Sequence, residues 1–238
     1  LRWSPQLTEG PFMPRRLVLV LGPLLTLTPA LADVPNLAQD SPATTGAAAQ
    51  LVLAQRVFRQ AQVTGDPILL LTAIRLARGV TTRPAPAWTL VNEADPLPLQ
   101  PPEFDGPRNP GSAEAFAILQ GLAVDDPDLQ DLAYDLTAQV PQSRKPVASI
   151  AQGGLGAGNQ DDWRLPLSGS VPAEVALLGD GGGPVGLTVT DDTGAVICAQ
   201  PPSLDPALCR FTPARNGFFT ATVTNAGAEW NSYQLVGN

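Results

Sequence analysis

The hydrophobic positions of this chain change period partway along its length. Between residues 44 and 140 they recur every three to four residues, and from about residue 160 every two. Leu51, Ala54, Phe58 and Ala61 stand at i, i+3, i+7 and i+10, an apolar stripe on a helix that Thr44-Thr45 would cap and that runs to about Thr64. Gly65-Asp66-Pro67 then ends one helix and starts another, with Gly at C′, Asp as N-cap and Pro at N1. The second helix carries Leu70, Ile74 and Ala77 and stops at Arg78-Gly79. Ser112 caps a third, bearing Phe116, Leu119 and Ala123. Asp126-Pro127 opens a fourth, with Leu129, Leu132, Leu136 and Val140 at helical spacing.

The two helix–Asp-Pro–helix units, TGDPILLL and VDDPDLQDL, resemble the building block of tetratricopeptide-like repeats. Two units fall short of the three or more that a stable stack needs, and the Pro-rich loop 80–111 interrupts any regular period, so a plain cluster of two helical hairpins is the favoured reading. Asp128, Asp131 and Asp135 share one helical face. They read as a solvated face rather than a metal site, because loops and not straight helices usually gather calcium's six to eight oxygens.

Residues 141–160 read as a linker. Their Gly-rich end, IAQGGLGAGNQ, lacks the Lys-Ser/Thr and the following helix of a phosphate-binding loop. Seven short strands then follow: WRLPL from Trp163, AEVALL from Ala173, VGLTVT from Val185, AVIC from Ala195, RFT from Arg210, GFFTATVT from Gly217 and YQLV from Tyr233. Turn residues separate them, which predicts an antiparallel sandwich or jelly roll over 161–238. The fold class expected is therefore α+β by segregated domains, with helical hairpins over 44–140 and a β-sandwich after them.

The N-terminal region has a different character. Met13 to Ala32, MPRRLVLVLGPLLTLTPALA, has a positive start at Arg15-Arg16, an apolar run, and Ala30-Leu31-Ala32 before a cleavage between Ala32 and Asp33. The apolar run, broken by Gly22-Pro23, is short of the roughly 20 residues that span a bilayer. A cleaved export signal is predicted, with residues 1–12 as an over-extended start and no membrane anchor after cleavage. Export implies periplasm or secretion. The sole lysine, Lys145, among arginines fits a GC-rich bacterial genome.

The formal charge is −8, and from Asp33 onward 11 basic side chains face 21 acidic ones. Such a chain repels phosphate backbones, so no nucleic-acid partner is expected. The absence of histidine excludes Ser-His-Asp and Cys-His systems and His-ligated metal sites. No catalytic residue, metal ligand or cofactor is assigned. Cys198 and Cys209 are the only cysteines and, in an exported protein, predict one disulfide.

Several motifs of the β half converge on one family. LTVTDDTGAVIC, CRFTP, GFFTATVTN and NSYQLVGN resemble the bacterial pre-peptidase C-terminal domain over roughly 160–238. The resemblance is carried by Asp191, Gly194, Phe211, Pro213, Gly217, Phe218, Asn225, Gly227, Asn231, Tyr233 and Leu235. It implies a small jelly roll serving as an accessory module, and it brings no catalytic residues with it.

The function expected is that of an exported, non-catalytic interaction or accessory protein. Its sandwich would act as a binding or stabilising module, and its partner would be another envelope or secreted protein. The first alternative is carbohydrate binding, with Trp163 and Trp230 as sugar platforms. The second is a carboxylate-based hydrolase drawing on Asp161, Asp162, Asp180, Asp191, Asp192 and Glu229.

Overall fold

The computed structural model describes residues 34–38, 46–92, 109–138 and 145–238. The export signal, the Ala32/Asp33 cleavage site, residues 1–12 and the Thr44-Thr45 cap lie outside the described residues. Val34 to Asn238 form one compact unit.

The described residues hold four helices, the first two before the strands Thr81–Pro84 and Thr89–Asn92 in the chain and the last two after them: α1 (Ala47–Thr64), α2 (Pro67–Arg78), α3 (Ala113–Leu122) and α4 (Pro127–Ala138). Their punctuation acts as the residue types dictate. Gly65 ends α1 in the left-handed conformation at φ 66°. The Asp66 carboxylate accepts from the N–H groups of Ile68 and Leu69, and Ser112 Oγ accepts from Ala115 N–H. Asp126 likewise accepts from Leu129 N–H. The stripe residues Phe58, Ala61, Leu70, Ile74, Leu119, Ala123, Leu129 and Leu136 are buried in one cluster, whereas Leu132 is exposed. No tetratricopeptide-like stack is seen among the described residues: α1 and α2 turn part of their apolar surface to a sheet instead of to further helices. Asp128, Asp131 and Asp135 are exposed.

The β region is a sandwich of two five-stranded sheets. Its strands are β1 (Thr81–Pro84), β2 (Thr89–Asn92), β3 (Val147–Leu155), β4 (Gln160–Leu167), β5 (Ala173–Gly179), β6 (Val185–Thr190), β7 (Val196–Ser203), β8 (Ala207–Phe211), β9 (Gly217–Asn225) and β10 (Asn231–Gly237). One sheet has the order β1-β3-β10-β5-β8 and the other β2-β4-β9-β6-β7; all pairs are antiparallel except β1 with β3. Alternate residues of both sheets, including Leu165, Val175, Leu177, Leu187, Phe219, Val223 and Leu235, fill the space between them.

This architecture corrects two boundaries. Residues 147–155, expected within the 141–160 linker, form β3, and the Pro-rich loop 80–111 supplies β1 and β2. The glycines that suggest a linker are sheet glycines. A Cβ on Gly153 would collide with the Tyr233 ring that crosses it, and one on Gly154 would collide with Trp230. The helical part is also not separate from the sandwich. Ala47, Ala48, Leu51, Val52, Ala54, Ala77 and Val80 share a core with Ala148, Ala176 and Val236 on the outer face of the first sheet. The α+β class stands, but helices and sandwich are one body.

A buried carboxylate fixes that docking. The N-cap of α1 is Gly46, which offers no side chain, and Glu174 of β5 takes over the role from across the interface. It is 4% exposed and accepts from Gly46 N–H (2.8 Å), Ala49 N–H (3.0 Å) and Arg210 Nε (3.2 Å). An acidic group at a helix N-terminus satisfies free amides and complements the macrodipole.

Cys198 on β7 and Cys209 on β8 are bonded, joining an edge strand of one sheet to an edge strand of the other. At the opposite lateral edge the sheets are tied by continuous chain, because β1 leads into β2 and β3 into β4.

Candidate functional site

The outer face of the first sheet changes chemistry along its strands. Cross-strand register places Ile150, Val236 and Ala176 in one row, and α1 and α2 cover it. Two residues further along, the row is Gln152, Gln234 and Leu178, and beyond it come Gly154, Ser232 and then Asp180. Leu178 still packs against the core that the helices form with the sheet, but the helices leave the polar members of these last rows uncovered. Gln152 is exposed, and Gln234 and Leu178 are half-buried.

The uncovered rows floor a groove of about 970 Å³. Leu51, Gln55 and the end of α2 with Arg78 line it, as do Thr82, Arg83 and Pro84 of β1, the 109–111 turn, and Trp230. The volume is that of a site for a medium-sized ligand. The Arg78 guanidinium lies 4.7 Å from the centroid of the Phe116 ring, which orients it. Lys145 Nζ donates to the Arg78 carbonyl at 2.9 Å, adding positive charge at the C-terminal end of α2. Among the described residues Asp180 supplies the only carboxylate in the lining, and it is occupied: it accepts from Ser232 N–H and Oγ (both 2.6 Å) and from Gly182 N–H (2.8 Å). Among the described residues the side chains of Gln152, Gln234 and Thr82 carry no hydrogen bond, so their donors and acceptors are available to a ligand.

The two tryptophans proposed as platforms part company. Trp163 faces the sandwich core at 9% exposure, where its Nε1–H donates to Tyr233 Oη at 2.7 Å, and Tyr233 donates to Asp161 at 2.5 Å. That ring is closed to a ligand. Trp230 is half-buried at the rim of the groove, against Gly154.

The six acidic residues weighed for hydrolysis are dispersed. Asp161 is held in the core, Asp162 accepts from Thr222 Oγ1 (2.6 Å), Asp192 pairs with Arg215 (2.9 Å), and Glu229 is exposed. Of the six, only Asp180 lines the groove. Asp191 organises a turn: Thr193 N–H, Thr193 Oγ1 and Ala195 N–H donate to one oxygen, and Asn36 N–H donates to the other. Burial alone would raise its pKa. The Thr193 hydroxyl, followed by the Asn36, Thr193 and Ala195 amides, outweighs burial and holds it below the ordinary aspartate value.

The residues carrying the family resemblance take structural roles. Asp191 and Gly194 (φ 83°) make one turn, Phe211 packs on Phe219, and Asn225 donates to the carbonyls of Leu155, Gly156 and Glu229. Leu235 and Tyr233 lie in the core. The groove residues Arg78, Gln152 and Gln234 were missed by sequence reasoning. Their signal was a polar alternate in SIAQGG and SYQLV, which shows only once both segments are known to be adjacent strands.

Fold and site together define a disulfide-closed β-sandwich with a helical layer docked on one sheet and a groove of mixed polar and apolar lining beside it. No family model and no curated protein matches the chain. Among solved structures it is similar to the pre-peptidase C-terminal domain of a collagenase from Bacillus anthracis, at 15% identity and a TM-score of 0.33, over 37% of this chain and 87% of that one.

Proposed function

We propose that this chain is an exported, non-catalytic binding protein that holds its ligand in the groove beside the helical layer. The observation carrying this reading is the part of the sheet face beyond the helices, where Gln152, Gln234 and Arg78 line a ligand-sized volume. Export is supported by the Met13–Ala32 pattern and by the disulfide, which suits an oxidising compartment. Among the described residues no helix is long and apolar enough to cross a membrane. The dispersal of the acidic residues supports binding without catalysis.

A second reading, an exported protein as partner, is favoured by the helical layer itself. Ile118 and Leu122 are exposed beside an apolar pocket of about 230 Å³ that Phe58 and Leu70 also line. A photo-cross-linking amino acid placed in turn at Thr82, Leu122 and Thr222, in the producing cell, separates the readings. Groove binding predicts an adduct from position 82 that Gln234→Leu abolishes, with none from 222 on the opposite sheet. A protein adduct confined to 122 would replace the first reading with the second.

A further inference from the structure

The groove reading can be carried to a ligand class, and the inference that follows rests on that reading. The floor is a sheet face whose central strand, β10, is hydrogen-bonded to β3 on one side and to β5 on the other, so its backbone N–H and C=O groups cannot pair with an added strand. A ligand lying across it is read by side chains. Gln152 and Gln234 are direct cross-strand partners, and each carboxamide presents one acceptor and two donors on a planar head. Vicinal hydroxyls, each both donor and acceptor, complement such a pair. The Thr82 hydroxyl adds a third group of the same kind, and Trp230 at the rim adds an amphipathic aromatic surface.

Charge narrows the class further. The chain is acidic overall, yet Arg78, Arg83 and nearby Lys145 surround a groove whose single carboxylate among the described residues is already engaged by Ser232 and Gly182. A guanidinium fork matches a carboxylate in geometry as well as charge, and Arg78 is held in place by Phe116. We infer that the groove binds an acidic oligosaccharide, with a uronate carboxylate on Arg78 and sugar hydroxyls on Gln152 and Gln234. An acidic peptide would satisfy the arginine but would leave the paired carboxamides without a comparable set of hydroxyls.

Calorimetric titration of the exported chain with oligogalacturonate, oligomannuronate, their neutral methyl esters and oligoglutamate tests this. The expected result is binding of at least one uronate oligomer, weakened about tenfold or more by esterification and by Arg78→Gln, with partial retention in Arg78→Lys. Gln234→Ala should weaken it about tenfold as well, while its unfolding midpoint stays at the wild-type value. Equal binding of oligoglutamate, indifference to esterification, or no binding of either uronate would overturn the saccharide inference. If an adduct at position 82 persists in that event and depends on Gln234, the groove reading survives and only the ligand class fails.

Discussion

The two halves of one sheet face, built on the same strands a few residues apart, behave in opposite ways. At one end Ile150, Val236 and Ala176 are apolar, and two helices cover them. At the other end Gln152, Gln234, Ser232 and Asp180 are polar, and the helices leave them open. Burying carboxamides against a helix without partners would cost a few kcal/mol each, so the helices stop where the side-chain chemistry turns. A face needed only for packing has no reason to turn polar midway. On the proposed reading, one half is structural and the other is a surface kept for a ligand.

The contrast can be broken by making the covered half polar. Val236→Asp places a carboxylate in a fully buried position among Ala47, Leu51 and Ile150 and should cost about 3 kcal/mol or more, read as a fall in the urea midpoint. Reducing the disulfide, or Cys198→Ser with Cys209→Ser, should cost about 3 kcal/mol through the freed edge strands, measured in the same way. Glu174→Ala leaves Gly46 and Ala49 N–H without their acceptor and Arg210 without its partner. About 2 kcal/mol should be lost, with helical circular dichroism falling ahead of the sheet signal if docking is what fails first.

Asp191→Asn gives a smaller effect with a pH signature. Because the native pKa lies below the unfolded one, the carboxylate stabilises the fold fully above about pH 5. That contribution is lost as the pH falls below about 3.9 and through the lowered native value. The variant should be less stable than wild type by about 1 kcal/mol at pH 7, and the gap should close in acid, as followed by thermal unfolding at several pH values.

Much of the scaffold was legible because local chemistry decided it. Gly65, Asp66, Pro67 and Ser112 act as their types require, and all seven expected strands begin within three residues of the observed ones, with β6 matched end to end. What failed was long-range. Gly153 and Gly154 look like a linker until Tyr233 and Trp230 are seen lying across them, and Thr81–Pro84 becomes a strand only because β3 is there to pair with it. The α1 cap was sought at Thr44-Thr45, but Glu174 supplies it from well over a hundred residues away in sequence. The groove was invisible for the same reason: no local pattern joins Arg78 to Gln152 and Gln234. Sequence alone leaves Trp163 as a candidate sugar platform beside Trp230, but it alternates inward on β4.

The smallest effect on stability belongs to the variant that matters most. Gln152→Leu with Gln234→Leu converts the open row to the chemistry of the covered one without touching the core. The measurement is the urea unfolding midpoint of this double variant together with its photo-cross-link yield from position 82. A surface kept for a ligand predicts stability within about 0.5 kcal/mol of wild type and loss of the adduct. A clear loss of stability with the adduct retained would contradict the account, because the polar row would then be structural and the groove incidental.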